Sequence, residues 1–289
     1  MIELNHAAVA PRALTRHRDC PVCSAPSPEF AFRRNDFDMV RCASCSLVYV
    51  GADPAGIDFQ QLYGKSYYTG GHDAVFADYT GEQAARRAQS RRKLWALRML
   101  PPRVPRRGRW LDVGCAAGFF LAEAKRHYEV QGVELSQWSS DYARRKLGLN
   151  VVTGTLQSAA LPAEHFDVIT LWDVIEHVTD PVPLLHEAAR VLRSHGRLVL
   201  TTGDWGSAYA QAHGADWHLM TPPWHLSMFS RATLTRAAAL AGLRVLAVRS
   251  EGVAGDGWRW RNRAALLFSR AMGWGDIMRV TLAKAGATA

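Results

Sequence analysis

From Arg109 onward, short apolar runs alternate with amphipathic stretches. Trp110–Val113, Val130–Leu135, Asn150–Thr153, Phe166–Trp172 and Arg197–Thr202 read as five strands. Between them Phe119–His127, Ser139–Lys146 and Val182–Arg193, the last closed by Gly196, read as helices. Strands separated by helices at this interval imply right-handed crossovers and a parallel sheet covered on both faces. Residues 203–229 lack a period and are rich in Trp, His and Pro. Arg231–Ala241 reads as a helix and Arg244–Ser250 as a sixth strand, and the remainder is expected to be helical.

Ahead of this pattern the chain is organised differently. Residues 1–17 read as a loose tail, and His17–Val50 as a small module ending in a return strand, Leu47–Val50. A connector carrying Tyr63, Tyr67 and Tyr68 follows. Helical spacing then runs from about Glu82 to Leu100, with Leu94, Leu97, Met99 and Leu100 apolar, and Pro101, Pro102 and Pro105 end it. The expected division is 1–50 (tail and module), 51–108 (connector and basic helix), 109–250 (α/β core, with 203–229 as an acceptor-side insertion) and 251–289 (C-terminal helical segment).

Composition narrows the class. At 289 residues, 48% hydrophobic and 21% charged, the chain has the makeup of a globular protein that needs no covalent staples. No run approaches the roughly 18–20 apolar residues of a membrane helix, and Met1–Asp19 has no secretory apolar region, so a cytoplasmic location is expected. The formal charge of +9 is concentrated: ten Lys or Arg lie between Gly81 and Arg109 against one acid, Glu82. Such a patch suits nucleic acid, an acidic carrier or a phosphorylated substrate, or is a solvated helix face.

Four cysteines fall as Cys20-x2-Cys23 and Cys42-x2-Cys45 with eighteen residues between the pairs. That is the spacing of two-knuckle zinc sites, in which each turn aims two thiolates at one tetrahedral centre. Disulfides are disfavoured in a reducing compartment. Four thiolates leave no open coordination position, so the zinc is expected to be structural.

The segment Leu111-Asp112-Val113-Gly114-Cys115-Ala116-Ala117-Gly118-Phe119-Phe120 sits at a strand-to-helix turn, where small residues let a backbone approach a ligand. Glu134 closes the next strand twenty residues after Gly114, placed to accept bonds from ribose hydroxyls. A dinucleotide dehydrogenase would carry glycines at 116 and 119, where Ala116 and Phe119 stand.

Asp112–Gly118 resembles motif I of class I S-adenosylmethionine methyltransferases, Glu134-Leu135 their ribose-binding acid, and Phe166–Val178 their fourth-strand segment in its "VIEHV" form. The resemblance runs from about Arg109 to Ser250 and implies a Rossmann-like α/β core. It further implies cofactor contacts at Asp112, Gly114, Ala116, Gly118, Phe119, Glu134, Leu135, Leu156, Trp172 and Asp173. The family's adenine-binding acid has no counterpart at Gly154–Gln157, which leaves Leu156 and a side-chain or backbone substitute to serve the base. The four-cysteine knuckle, the Tyr-rich connector and Pro222–Ser230 are similar to a bacterial subgroup that often acts on sugars, polysaccharides or natural-product intermediates. The sixth–seventh strand hairpin usual in the family is not visible in the last residues.

The expected chemistry is methyl transfer from S-adenosylmethionine to a small-molecule or carrier-bound acceptor, at oxygen or carbon. His177 and His225 are candidate bases for a hydroxyl acceptor. Asp173, Glu176 and His177, with His225 distal, resemble the E-x-x-E-H metal ligands of small-RNA 2′-O-methyltransferases and ubiquinone-pathway O-methyltransferases, if they share a helical face. The rival readings are a zinc-knuckle RNA methyltransferase and a non-catalytic cofactor-binding or zinc scaffold. The fourth strand lacks the Pro-Pro-Tyr loop that holds a flipped base, which disfavours amino-group methylation of nucleic acid. Trp205, Trp217, His218 and Trp224 are candidates for an acceptor wall.

Overall fold

A computed structural model describes residues 17–70, 78–252 and 275–286. The readings made for the N-terminal tail, and for Trp258, Trp260 and Trp274, lie outside the described residues.

Among the described residues, seven strands form the main sheet: β4 (Arg109–Val113), β5 (Glu129–Glu134), β6 (Val151–Thr153), β7 (Phe166–Trp172), β8 (Leu192–Gly203), β10 (Leu243–Glu251) and β11 (Ile277–Lys284), in the order β10-β11-β8-β7-β4-β5-β6. β4 pairs in parallel with both β5 and β7, β5 with β6, and β7 with β8. Order reverses at β4, so the space beyond its C-terminal end is the ligand crevice of a sheet of this kind. Helices α4 (Phe119–Ala124), α5 (Gln137–Leu147), α6 (Pro181–Val191) and α8 (Arg231–Leu240) supply the crossovers. Leu111, Ile169, Leu171, Leu198 and Leu200 of the central strands are fully buried, as a sheet covered on both faces requires.

Two expectations about this sheet are corrected. The C-terminal segment read as helical contains β11, which runs antiparallel between β8 and β10 and completes the hairpin that was not visible. Its interior residues Met278–Ala283 are buried on both faces, so the run lacks the alternation that marks a half-exposed strand. Arg279 interrupts its apolar character, and Glu251 neutralises it at 3.1 Å. The helix expected to close at Gly196 instead ends at Val191, and residues from Leu192 onward are already extended.

A second sheet has the order β1-β2-β3-β9: β1 (Glu29–Arg34), β2 (Phe37–Arg41), β3 (Val48–Val50) and β9 (Ser227–Met228). β1 and β2 form a hairpin across Asn35-Asp36, both at positive φ (46° and 62°), the demand of a type I′ turn. The fourth strand comes from the irregular stretch before α8. Trp205 and Trp217 of that stretch are buried against Phe37, Met39, Val48 and Val50 as a shared core. They therefore pack the small module and do not wall the crevice.

Candidate active site

The turn after β4 is shaped by backbone constraint. Gly114 has φ +69°, and a Cβ there would come 2.6 Å from Val174 Cγ2. Gly118 has φ +80° and opens α4. Ala116 between them also lies at positive φ, +48°. Glu134, buried at the end of β5, fixes the loop from the side: Oε2 accepts from Ala116 N–H at 2.8 Å and Oε1 from Ser136 N–H at 2.8 Å. Each oxygen keeps a further lone pair for a ligand.

A cavity of about 880 Å³ opens beside this turn, within the size range of small-molecule sites. The structure brings Asp112, Gly114, Ala116, Phe119, Glu134, Leu135, Leu156, Trp172, Asp173, His177 and His225 to its wall. Gly118 lies in the turn behind it. Asp112 is buried, and its Oδ1 accepts from the Thr170 hydroxyl at 2.5 Å; burial pushes its carboxyl up to about 7. The aromatic connector folds over the opening. Tyr63, Tyr67, Tyr68 and Tyr79 meet in succession edge to face, and Tyr79 stacks on Phe119 at 5.6 Å.

Sequence reasoning missed the contribution of α3 (Gln83–Met99), which lends Arg86, Gln89, Ser90 and Lys93 to the cavity. Positions 86, 89–90 and 93 follow the helical period, a signal that could have found them. The Lys93 ammonium lies 4.2 Å from the Trp172 ring centre. Much of the basic patch is neutralised within the fold. Arg87, Arg91 and Arg126 converge on the buried Glu123 at 2.6, 3.5 and 3.7 Å, and Arg86 meets Glu82 at 2.7 Å.

At the other end of the cavity stand Glu176, His177 and His225, whose ligand atoms lie within 4.8 Å of one another. The "VIEHV" residues were expected on a helical turn, and this is corrected. They occupy a tight turn in which His177 N–H donates to Val174 C=O at 3.0 Å, and α6 starts only at Pro181. Asp173 does not join the cluster. It sits at φ +55° with Oδ1 accepting from the Thr201 hydroxyl at 2.7 Å.

Both imidazoles have an assigned tautomer. His177 Nδ1 lies 2.8 Å from the Trp224 carbonyl, and His225 Nδ1 lies 2.6 Å from the Leu219 carbonyl. A carbonyl only accepts, so each Nδ1 carries the proton and each Nε2 presents a lone pair. The Tyr63 phenol oxygen, 3.0 Å from His177 Nδ1, shares that proton. Burial holds both histidines below their ordinary range, His177 at about 3, so both are neutral near pH 7. Burial, then the neighbouring Asp173 carboxylate, pushes Glu176 up to about 8. Its Oε2 is buried with no hydrogen-bond partner among the described residues.

The four cysteines converge on one point. Cys20 and Cys45 Sγ atoms lie 3.6 Å apart, and those of Cys23 and Cys42 3.5 Å apart. These distances are too long for disulfides and near the ~3.8 Å edge of a tetrahedron of 2.3 Å zinc–sulfur bonds. The two turns repeat one pattern: Cys20 N–H to Ala25 C=O and Ser24 N–H to Cys20 C=O, then Cys42 N–H to Leu47 C=O and Ser46 N–H to Cys42 C=O. Four clustered thiols in paired turns fit a zinc knuckle. Among the described residues, no helix is long and apolar enough to cross a membrane.

A glycine turn after one parallel strand, facing a carboxylate that ends the next, defines the class: a Rossmann-like S-adenosylmethionine-dependent methyltransferase. The chain belongs to the methyltransferase-domain family, whose profile matches residues 82–248, more than half of its length. It is 32% identical over 98 residues to a ubiquinone biosynthesis O-methyltransferase of Coxiella burnetii, a match covering 32% of this chain and 42% of the relative. A protein of that name from an Azoarcus species is 36% identical over 100 residues, with the same coverage. The chain thus spans less than half the length of these curated relatives. Among solved structures it is similar to a methyltransferase of Thermotoga maritima titled a possible histamine N-methyltransferase (TM-score 0.54, 22% identity, 71% of this chain and 94% of that one). It is also similar to a methyltransferase of Archaeoglobus fulgidus (TM-score 0.51, 18% identity, 70% and 94%).

Proposed function

We propose that this methyltransferase acts on a hydroxyl oxygen of a small-molecule acceptor, bound at the end of the cavity where Glu176, His177 and His225 meet. The observation carrying this reading is the pair of neutral imidazoles, each with Nδ1–H tied to a backbone carbonyl and Nε2 left open. The name of the relatives from Coxiella and Azoarcus, O-methyltransferase, supports oxygen over carbon.

S-adenosylmethionine supplies a methyl group on a positively charged sulfur, open to in-line attack. The turn at Gly114–Gly118 fits it because positive φ at Gly114 and Gly118 folds the backbone tightly beside the cavity, where it can approach a ligand closely. Glu134 would take the ribose hydroxyls with the lone pairs its backbone bonds leave free, and Leu135 and Leu156 would flank the base. Lys93, with Gln89, would meet the methionine carboxylate. Phe59, Tyr63 and Tyr67 offer faces and edges to an acceptor ring. His225 would take the hydroxyl proton at Nε2 as the oxygen attacks, since His177, held at about 3, is too weak a base near neutral pH. Holding donor and acceptor in line is the larger part of the acceleration.

A second reading has the same three side chains hold a divalent cation that lowers the acceptor's hydroxyl pKa. The unpartnered Glu176 Oε2 favours it, as do the carbonyl-anchored imidazoles, the arrangement that orients metal-bound histidines. Two nitrogens and one carboxylate suit zinc, iron or manganese. The four-cysteine knuckle would hold a structural zinc, and the reducing cytoplasm is the compartment that keeps such thiols available.

The test is turnover of radiolabelled S-adenosylmethionine against a panel of phenolic and sugar acceptors, using wild type, Glu176→Gln and His225→Asn. Both variants should lose on the order of 10²–10⁴-fold in kcat while S-adenosylhomocysteine still binds. A chelator that abolishes turnover without removing the knuckle zinc selects the cation reading. Full activity in both variants would remove the acceptor site from this end of the cavity.

A further inference from the structure

The cysteine module contributes no described residue to the cavity, whose lining begins at Phe59. It nevertheless bonds to backbone that neighbours the three clustered side chains, at Leu226, Thr179 and Pro222. β3 leaves the second cysteine pair and continues the sheet into β9, with Val48 opposite Met228 and Tyr49 opposite Ser227. Val50 N–H donates to Leu226 C=O at 2.9 Å. Leu226 N–H and Ser227 N–H then donate to Glu176 C=O at 2.7 and 3.2 Å. The ladder that starts at the cysteines therefore ends on Glu176 and on the residue after His225.

Further ties run in parallel. From the β1–β2 hairpin, Arg34 meets Asp216 at 2.7 Å and Asn35 Nδ2 donates to the Pro222 carbonyl at 3.1 Å. Arg18, two residues before Cys20, donates from Nε to Val50 C=O at 2.9 Å and from Nη1 to Thr179 C=O at 3.3 Å. Thr179 follows the His177 turn. By contrast the cofactor cradle, Gly114–Gly118 and Glu134, is fixed by β4, β5 and its own internal bonds.

We infer that the four-cysteine module is the positioning element of the acceptor end of the site. Through the β3–β9 ladder, with Arg18 and Asn35 beside it, the module sets the separation of His225 from Glu176 and His177. Occupancy of the cysteines by zinc thereby controls methyl transfer independently of cofactor binding. The inference rests on the proposed role of that cluster. Its positioning residues are Val50, Arg18 and Asn35, and they act through backbone they hold.

The experiment compares wild type, Cys20→Ser/Cys42→Ser and Arg34→Ala/Asn35→Gly. The last leaves the cysteines and the positive-φ turn intact. Three quantities are read: zinc content, S-adenosylhomocysteine affinity by titration, and the side-chain ¹⁵N signals of His177 and His225 that report the Nδ1–H tautomer. In the cysteine variant the expected result is unchanged cofactor affinity, altered His225 signals and a kcat lower on the order of 10–100-fold. The hairpin variant should keep its zinc and show the same changes in smaller degree. If the cysteine variant fails to fold, shown by loss of cofactor binding, the hairpin variant decides. Unaltered histidine signals with full kcat in the folded variants would overturn the inference. Full activity in Glu176→Gln and His225→Asn would instead overturn the reading on which it rests.

Discussion

Asp112 is buried between β5 and β7 with one hydroxyl donor, Thr170, on Oδ1. Its carboxyl is raised from 3.8 to about 7, chiefly by burial. A raised acid binds its proton more tightly in the folded chain than in the unfolded one. Its contribution to stability is therefore fully present below about pH 4 and is lost as pH rises through about 7. The span corresponds to an upper bound on the order of 4 kcal/mol. Asp112→Asn, which keeps an acceptor for Thr170, should flatten the loss of stability between about pH 4 and pH 7 in urea titrations of the cofactor-free protein. A parallel profile in the variant would mean that the acid is solvated. At this scale the cradle was legible because a glycine turn and a following acid are set by backbone sterics and ribose chemistry. The Glu176 environment was not, because its partners Leu226 and Ser227 lie some fifty residues away.

At the scale of elements, α8 illustrates what local chemistry secures. Ser230 and Thr233 form a reciprocal cap, Ser230 Oγ receiving Thr233 N–H at 3.3 Å and Thr233 Oγ1 receiving Ser230 N–H at 2.8 Å. Ser230→Ala should cost about 1 kcal/mol, read as a lower denaturation midpoint with unchanged slope; a neutral result would make the cap dispensable. Strands β4 to β8 were legible from apolar runs between helical periods. β11 was not, since burial on both faces erases alternation and Arg279 breaks the run. The β1–β2 hairpin was missed as well: its turn is Asn-Asp, without the glycine that usually announces a two-residue turn.

For the molecule as a whole, the two sheets share one core. Val22, Val40, Leu47 and Tyr49 of the small module belong to the same buried cluster as Leu111, Ile169 and Leu198 of the main sheet. The expected boundary near residue 50 therefore divides the sequence more cleanly than it divides the packing. No pattern in residues 203–229 could announce β9, a strand of two residues whose partner lies in another module. The central claim is a division of labour along one cavity, with the cofactor at Gly114–Glu134 and the acceptor at Glu176–His225. The most direct test is calorimetric titration of S-adenosylhomocysteine into wild type, Glu134→Gln and His225→Asn. The account predicts that wild type and His225→Asn bind alike, and that Glu134→Gln binds on the order of 10–100-fold more weakly, as loss of hydrogen bonds to a charged group implies. Equal binding by Glu134→Gln, or weakened binding by His225→Asn, would contradict it.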